Sequence, residues 1–357
     1  MTIHNLDEKL KLHLLNLHLC KGEAINIRLI STGMCGDIYV FEYPDHVVPK
    51  YTCVKIPKKT ESLSTDETNK RFITELKSQL NYYYHPLINW AYDFTDVLET
   101  PVALFRYWDG TLRDFINRSN SLEQKLSLMA YLCVALDHCY QKGLITHQDL
   151  KPENIFLRDL RKTHKIELDN DIYLTPILGD FGLSNAFKES QVFEGARPYM
   201  APEQWDKKEL TQKTDVFSLG IIFYEIMSNG IHPATKTKLN EHWPIPQNGF
   251  SKKWTQSKPW KKWSCSEKNW DNLPSIDQNF LNLYLTMTSL EPNKRPAIDS
   301  VLQSILSILK NESVLSYEHT LILINHFNSL ATPNVLQKEW PYLSKKWITF
   351  REKFDKY

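Results

Sequence analysis

The sequence predicts an α+β fold with two lobes, a small β-rich lobe followed by a larger and mainly helical lobe. Apolar residues alternate between positions 25 and 56, as they do in strands. After Leu122 the apolar residues follow the spacing of one buried helical stripe, formed by Leu126, Met129, Leu132 and Leu136. Because the strand signals come first and the helical signals follow, we expect two lobes in this order.

The first lobe is predicted at residues 25–108. An N-terminal extension of residues 1–24 precedes it, and its leucine-rich part predicts a short docked helix or strand. Within the lobe, residues 66–80 predict one main helix, because Phe72, Ile73, Leu76 and Leu80 share a face. A buried strand at residues 102–107 and a hinge-like turn at Trp108, Asp109 and Gly110 end the lobe.

The second lobe is predicted at residues 109–310. Two polar or tryptophan-rich stretches, at residues 158–174 and 236–274, are predicted insertions. Residues 311–357 form a predicted C-terminal helical extension that begins after the last helical stripe of the lobe.

The composition places few limits on binding partners. The chain has 357 residues, of which 42% are hydrophobic, and its 43 Lys and Arg nearly balance its 42 Asp and Glu. The near-zero net charge argues against a general attraction to nucleic acid or acidic membranes. The six cysteines form no Cys-x-x-Cys pair, and no signal peptide or membrane-spanning run is apparent. The sequence therefore predicts a soluble, cytoplasmic protein, or one in a host cytosol if it is a secreted bacterial effector.

Two short strings carry the chemistry. Residues 147–154 are His-Gln-Asp-Leu-Lys-Pro-Glu-Asn, and residues 180–182 are Asp-Phe-Gly. They supply an acid–base carboxylate (Asp149), a cation for phosphate (Lys151) and two oxygen ligands for a hard metal ion (Asn154 and Asp180). These groups are suited to moving a phosphoryl group from a magnesium nucleotide to a hydroxyl.

The ordered motifs resemble those of eukaryotic-type protein kinases over residues 25–305. Lysine two positions after Asp149 is typical of the serine/threonine type. The resemblance implies that Asp149 orients the substrate hydroxyl and accepts its proton, and that Lys151 steadies the γ-phosphate. It implies ATP as the nucleotide, with magnesium, or alternatively manganese, held by Asn154 and Asp180.

The resemblance also assigns residues of the first lobe to the nucleotide. Lys55 would clamp the α- and β-phosphates, and Glu75 would pair with Lys55 and orient it. The glycine-rich loop is incomplete, because Ser31 replaces its first glycine while Gly33 and Gly36 remain. The other residues that the resemblance places around the nucleotide are Ile38, Cys53, Arg106, Tyr107 and Phe156.

Further motifs resemble the scaffold of the same family. Residues 199–203 (Tyr-Met-Ala-Pro-Glu) match the end of the activation segment, and Glu203 would form a buried ion pair with Arg295. Asp215 would anchor the backbone of the catalytic loop. His147 and Phe181 would stack in an internal hydrophobic column.

Two departures from the family concern control of the enzyme. Most members carry arginine where this chain has Gln148, which cannot pair with a phosphate as a guanidinium does. The activation loop (residues 183–198) has only Ser184 and Ser190 as hydroxyl acceptors. We therefore hypothesise that activity does not need phosphorylation of this loop. Ala196 replaces a hydroxyl residue near the catalytic aspartate, and we expect this loss to weaken positioning of the substrate.

Two other classes of function stay open at this stage. Ser31, Gln148 and Ala196 favour a pseudokinase that binds a nucleotide or a partner without transfer, and a small-molecule or lipid kinase is a third alternative. The Lys- and Trp-rich residues 252–263 predict either a docking surface for a protein partner or an insertion packed onto the helical lobe. The sequence does not identify the protein substrate.

Overall fold

The fold is known from a computed structural model. It describes residues 3–20, 22–32, 36–59, 63–82, 85–108, 110–164, 171–241, 252–267, 276–331 and 349. Gly33 and Asp109, and parts of the segments predicted as insertions and as the C-terminal extension, lie outside these residues. The chain divides into two compact units, one made of residues 1–84, 89–107 and 330–357, and the other of residues 85–88 and 108–329. Among the described residues, none of the helices has both the length and the apolar character needed to cross a membrane.

The first unit contains a five-stranded antiparallel sheet with the order β1-β2-β3-β5-β4. The strands are β1 (Asn26–Thr32), β2 (Gly36–Glu42), β3 (Tyr51–Pro57), β4 (Ala91–Val97) and β5 (Thr100–Arg106), and the helices are α1 (Glu8–Cys20) and α2 (Thr65–Asn81). A capping box starts α2, because Ser64 accepts from the amide of Glu67 while the Glu67 carboxylate accepts from the amide of Ser64. The predicted main helix is therefore confirmed.

Each face of this sheet is covered by one helix. Because side chains alternate along a strand, Val40, Cys53 and Phe105 pack with residues of α2, whereas their neighbours Phe41, Val54 and Leu104 pack with residues of α1. The α1 helix is also held by polar contacts, since Lys11 donates to the Tyr39 hydroxyl at 2.7 Å and that hydroxyl donates to Glu8 at 2.9 Å. The leucine-rich segment is thus a docked helix.

The second unit is mainly helical and carries a two-stranded hairpin, β6 (Ile155–Asp159) and β7 (Leu174–Leu178). Its helices are α3 (Leu112–Ile116), α4 (Leu122–Gln141), α5 (Leu160–His164), α6 (Ala186–Glu189), α7 (Pro202–Trp205), α8 (Gln212–Met227), α9 (Ser257–Ser264), α10 (Gln278–Met287), α11 (Ile298–Glu312) and α12 (Val314–Leu330). The α4 and α8 helices are buried along most of their length, so they form the core of this unit.

The predicted fold class is confirmed, with an antiparallel sheet in one unit and helices in the other. The stretch at residues 158–174, predicted as a polar insertion, is partly regular structure. Its first two residues end β6, Leu160 is buried in α5, and Leu174 begins β7. The described part of the C-terminal extension is helical through α12.

Candidate active site

The catalytic loop is anchored on one buried carboxylate at the start of α8. Asp215 accepts from the hydroxyls of Thr146 (2.8 Å) and Tyr140 (3.0 Å) and from the backbone amides of His147 (2.7 Å) and Gln148 (3.1 Å). Burial raises the pKa of the Asp215 carboxyl even though these donors favour its ionised form. The predicted anchoring role of Asp215 is therefore present, and it fixes the backbone immediately before Asp149.

Both carboxylate oxygens of Asp149 are held by donors. The Oδ1 atom accepts from the backbone amide of Ala196 at 2.7 Å, and Oδ2 lies 3.0 Å from both Lys151 Nζ and Asn154 Nδ2. The sequence led us to expect a missing hydrogen bond at Ala196, because this residue has no hydroxyl. The side chain of Ala196 cannot make that bond, but its backbone amide donates to the same carboxylate.

Lys151 lies within the second unit next to three acidic side chains. Burial opposes its charge, but the Asp149 carboxylate at 3.0 Å, together with Asp180 and Glu153, raises the pKa of Lys151 above its usual value. Lys151 is therefore a cation at neutral pH.

The β6–β7 hairpin brings Asn154 and Asp180 to the same end of the two strands. Ile155 pairs with Leu178, and the amide of Gly179 donates to the carbonyl oxygen of Asn154 at 2.9 Å. The side-chain amide nitrogen of Asn154 faces Asp149, so the side-chain oxygen of Asn154 is the atom that could coordinate a cation. An amide oxygen and a carboxylate fit a hard cation such as Mg²⁺.

The residues on either side of Asp180 contact His147 of the catalytic loop. The ring of His147 lies 4.9 Å from the ring of Phe181, and its Nε2 atom lies 3.1 Å from the carbonyl oxygen of Gly179. Because a carbonyl oxygen only accepts, the Nε2–H of His147 is the donor. The two rings are in contact as expected, but they are tilted by 48° and not stacked in parallel.

In the first unit, Lys55 of β3 and Glu75 of α2 form an ion pair. The Glu75 carboxylate is buried, so the pair holds the ammonium group of Lys55 on the face of the sheet that α2 covers. Lys55 is paired with Ile38 across β2 and β3, and these two side chains share that face.

The other residues predicted to contact the nucleotide do not all lie on that face. Cys53 and Tyr107 pack with the cluster beneath α2, as Ile38 does. Arg106 is exposed and alternates to the opposite face of β5, so its side chain is separated from theirs. Ser31 is exposed on β1, and Phe156 lies in the second unit on β6.

Gly36 is required where it stands. A Cβ atom at this position would lie 2.6 Å from the carbonyl oxygen of Ile56, closer than such atoms approach. The glycine therefore allows β2 to begin directly beside β3. Gly33, the other predicted glycine of the loop, lies outside the described residues.

Gln148 connects the catalytic loop to the activation loop. Its side-chain nitrogen donates to the carbonyl oxygens of Val192 (2.5 Å) and Glu194 (3.1 Å), and its side-chain oxygen accepts from the amide of Phe187 at 3.2 Å. Gln148 is 3% exposed and has a positive φ of 72°. Such a backbone conformation is uncommon for a residue other than glycine, and the surrounding hydrogen bonds maintain it.

The two hydroxyl residues of the activation loop differ in access. Ser184 is buried, at 6% exposure, whereas Ser190 is exposed at the end of α6. Ser184 therefore cannot be modified unless the loop opens, and Ser190 is the accessible acceptor.

The predicted ion pair between Glu203 and Arg295 is confirmed. It is bidentate, with N···O distances of 2.6 and 2.9 Å, and both side chains are buried. Arg295 also donates to the carbonyl oxygens of Ser289 and Lys213, each at 2.8 Å. This pair joins the end of the activation segment to the segment before α11.

The residues that hold the Tyr199 side chain in place were not predicted from the sequence. Glu225 accepts from Arg113 Nη1 at 2.9 Å and from the Tyr199 hydroxyl at 2.7 Å, and Arg113 also pairs with Glu153 at 2.9 Å. One signal was available in the sequence, because Glu225 is the last charged residue of an otherwise apolar stretch in α8. A carboxylate buried in such a helix requires a cationic or hydrogen-bonding partner.

Comparison with known proteins identifies related sequences. Residues 27–306 match the protein kinase domain. The chain is 25% identical to the serine/threonine-protein kinase PrkC of Bacillus subtilis over 277 residues, which are 75% of this chain and 38% of PrkC. It is 27% identical to the ovarian-specific serine/threonine-protein kinase Lok of Drosophila melanogaster over 245 residues, covering 66% of this chain and 45% of Lok. Over 152 residues it is 32% identical to the serine/threonine-protein kinase PknB of Mycolicibacterium smegmatis, covering 40% of this chain and 23% of PknB. The chain spans less than half the length of each of these relatives.

Proposed function

The chain belongs to the protein kinase family, and from this premise we propose that it transfers the γ-phosphate of Mg-ATP to serine and threonine hydroxyls of protein substrates. One observation carries the proposal. The Asp149 carboxylate is fixed by Ala196 and Asn154 and lies 3.0 Å from the cationic Lys151. A general base must be ionised and oriented before the substrate arrives, and these contacts support both conditions.

Each remaining group has one part in the reaction. Asp149 would orient the attacking hydroxyl and take its proton, and Lys151 would stabilise charge on the transferred phosphoryl group. Lys55, held by Glu75, would bind the α- and β-phosphates. Asn154 and Asp180 would hold magnesium, or alternatively manganese, which neutralises phosphate charge when bound.

We also propose that the enzyme does not need phosphorylation of its activation loop. The contacts of Gln148 with Phe187, Val192 and Glu194 support this, because they tie the loop to the catalytic loop without any charged group. In relatives that have arginine at this position, a phosphate on the loop would provide the corresponding tie.

We propose that a protein partner at residues 252–263 would contact only the charged side chains of this stretch. Trp260 is fully buried and Trp254 is nearly so, so these aromatic side chains pack within the second unit. Any partner would meet the exposed lysines instead.

Phosphate transfer from γ-labelled ATP tests the main proposal. Wild-type protein, Asp149→Ala and the isosteric Asp149→Asn would be incubated with Mg-ATP and a library of serine- and threonine-containing peptides. Nucleotide binding by each protein would be measured separately. We expect labelled peptide from wild type alone, with similar ATP affinity for all three proteins. Nucleotide binding without transfer by wild type would instead support a pseudokinase, and transfer only to small molecules or lipids would support the third class.

A further inference from the structure

The α9 helix packs on the segment that follows the catalytic contact of Ala196. Trp260 is fully buried and donates from Nε1 to the carbonyl oxygen of Trp254 at 2.6 Å. Ser264 donates to the carbonyl oxygen of Met200 at 2.7 Å, and Lys261 forms an ion pair with Asp206 at 3.1 Å. The helix is therefore fixed against residues 200–206.

Arg197 connects this region to the catalytic carboxylate. It directly follows Ala196, whose amide donates to Asp149, and its own guanidinium donates to the carbonyl oxygen of Thr255 at 3.2 Å. Thr255 lies two residues before α9 begins. Asp149 is therefore linked to the start of α9 through Ala196, Arg197 and Thr255, a path that an extended substrate peptide of about 3.3 Å per residue would cover in several residues.

The outer face of α9 is basic. Lys258 and Lys262 follow helical i, i+4 spacing and share one face, opposite the buried Trp260 and Ser264, whereas Lys261 lies at the edge of that face and pairs with Asp206. Lys258 and Lys262 are exposed. Residues 252–267 contain five lysines and one acidic residue, Glu267, although the whole chain has a net charge of only +1. This local excess is a feature of the segment and not of the protein as a whole.

Asp206 is the acidic side chain that pairs with α9. It has Lys261 at 3.1 Å and Lys208 at 3.3 Å, so it does not cancel the charge of the outer lysines. An acidic substrate segment would therefore meet a local excess of exposed cations on this face, with Lys258 and Lys262 both exposed.

We propose that the exposed face of α9 recognises acidic residues of the protein substrate, a few positions to one side of the phosphorylated hydroxyl. This inference rests on the proposed kinase activity and names the substrate class of that same site. Lys258 and Lys262 are the residues that determine the preference. Exposed ion pairs are individually weak, so each lysine contributes about a two- to fivefold preference at low salt, which screening decreases as the ionic strength rises.

The test compares peptides that differ only in charge. Serine peptides carry four Glu, four Gln or four Lys residues on either the N-terminal or the C-terminal side of the acceptor. The kcat/KM of each peptide is measured for wild type, Lys258→Gln/Lys262→Gln and the charge-reversed Lys258→Glu/Lys262→Glu. A matched double variant, Lys142→Gln/Lys310→Gln, removes two exposed lysines elsewhere in the second unit. Melting temperatures establish that each variant is folded.

We expect wild type and the matched control to prefer Glu peptides over Gln peptides by about tenfold on one side of the acceptor. The glutamine variant should decrease this ratio below about threefold, and the charge-reversed variant should prefer Lys peptides. Equal ratios of kcat/KM for Glu and Gln peptides in wild type and the glutamine variant would overturn the inference. Transfer to the Gln peptides would still support the proposed kinase activity in that case. Binding of a single-stranded oligonucleotide is measured for the same proteins. If the glutamine variant lost this binding while its peptide ratio stayed at the wild-type value, the inference would also be overturned, because the face would then serve nucleic acid. Absence of transfer to every peptide, in wild type and in Asp149→Asn alike, would count against the proposed function itself.

Discussion

The side-chain nitrogen of Gln148 lies 2.5 Å from the carbonyl oxygen of Val192 and donates to it. Val192 belongs to the activation loop, and Gln148 directly precedes the proposed catalytic base. Two further contacts, to Glu194 and Phe187, use the second N–H and the oxygen of the same amide group. A neutral hydrogen bond contributes about 1 kcal/mol, so the tether is worth a few kcal/mol without any phosphate.

Replacement of Gln148 should therefore loosen the activation loop. We expect Gln148→Ala to lower kcat/KM by about ten- to a hundredfold, because it removes three hydrogen bonds of about 1 kcal/mol each and each 1.4 kcal/mol of barrier is a factor of ten. Steady-state kinetics measure the loss, and proteolysis of residues 186–196 should be faster in the variant. Gln148→Glu tests whether the hydrogen-bond donor matters rather than the size of the side chain. It keeps the size of the side chain but turns an acceptor toward the carbonyl oxygens of Val192 and Glu194, so it should be at least as impaired. Full activity of both variants would mean that the tether has no role.

Removal of the accessible loop hydroxyl should have little effect. Ser190 is exposed and Ser184 is buried, so Ser190→Ala removes the hydroxyl that another kinase could reach in this loop. We expect kcat/KM within about twofold of wild type, because exposed polar groups contribute little to stability or geometry. Phosphatase-treated wild type should behave in the same way. A loss of a hundredfold in either experiment would contradict the proposal that loop phosphorylation is unnecessary.

The Glu203–Arg295 pair should affect stability more than chemistry. Arg295→Ala leaves a buried carboxylate without its bidentate partner, and we expect the free energy of unfolding to fall by about 3–5 kcal/mol. Urea unfolding measures the change. Lys294→Ala is the matched control, since Lys294 pairs with Glu291 at the surface and its loss should cost less than about 1 kcal/mol. Similar losses in both variants would mean that the buried pair does not contribute as its geometry indicates.

Much of the active site could be predicted because its chemistry lies in side chains. Asp149, Lys151, Asn154 and Asp180 are recognisable by type and spacing, and the strand and helix periods were sufficient to locate Lys55 and Glu75 in regular structure. The pairing of Arg295 with Glu203 followed from the resemblance, since both residues are charged and stand in recognisable motifs. In each of these cases both members of the interaction are visible in the sequence.

Contacts made by the backbone were less accessible to prediction. Gln148 was interpreted as the loss of an arginine, and Ala196 as the loss of a hydroxyl. In the structure Gln148 binds main-chain carbonyl oxygens, and the main-chain amide of Ala196 donates to Asp149. Every residue type except proline carries both groups, so their use depends on the path of the chain and not on residue identity.

The stability of the second unit should depend on pH through His232. This buried ring has its Nε2 atom 3.2 Å from the carbonyl oxygen of Pro198, which can only accept, while Nδ1 accepts from the amide of Ala234 at 3.1 Å. The ring is therefore neutral, and a second proton would break the contact with Ala234. Burial, together with the nearby charge of Arg113, lowers the pKa of His232 to about 3.

Because the folded pKa lies below the unfolded value of about 6.5, the contribution of His232 is complete well above pH 6.5 and is lost as the pH falls toward 3. Between pH 8 and pH 5 the loss should be about 2 kcal/mol. Urea unfolding at several pH values measures how the free energy of unfolding changes with pH. His232→Gln should lose less of this free energy than wild type over the same pH range, and the difference should equal the contribution of His232. His46→Gln, at an exposed position, is the control and should leave the slope unchanged. An identical slope in His232→Gln and wild type would contradict the assignment.

The close approach of Gly195 to the catalytic loop leads to a last prediction. A Cβ atom at residue 195 would lie 2.5 Å from the carbonyl oxygen of Gln148 and 3.1 Å from the side-chain nitrogen of Gln204, which itself donates to that carbonyl at 3.0 Å. The Gly195→Ala chain must therefore move away from Gln148, and the amide of Ala196 must move with it from Asp149. A displacement of about 1 Å at a catalytic contact can cost a hundredfold in rate.

We accordingly expect Gly195→Ala to lower kcat by about a hundredfold while leaving ATP binding close to that of wild type, since the change is confined to the contact between Ala196 and Asp149. Gly110→Ala is the matched control, because its added Cβ would meet its nearest neighbour, a carboxylate oxygen of Asp114, at 3.4 Å. That variant should retain normal kcat. If Gly195→Ala kept the wild-type rate, the backbone amide of Ala196 could not be the group that orients the catalytic carboxylate, and the substrate hydroxyl would have to be aligned by Asn154 and Lys151 alone.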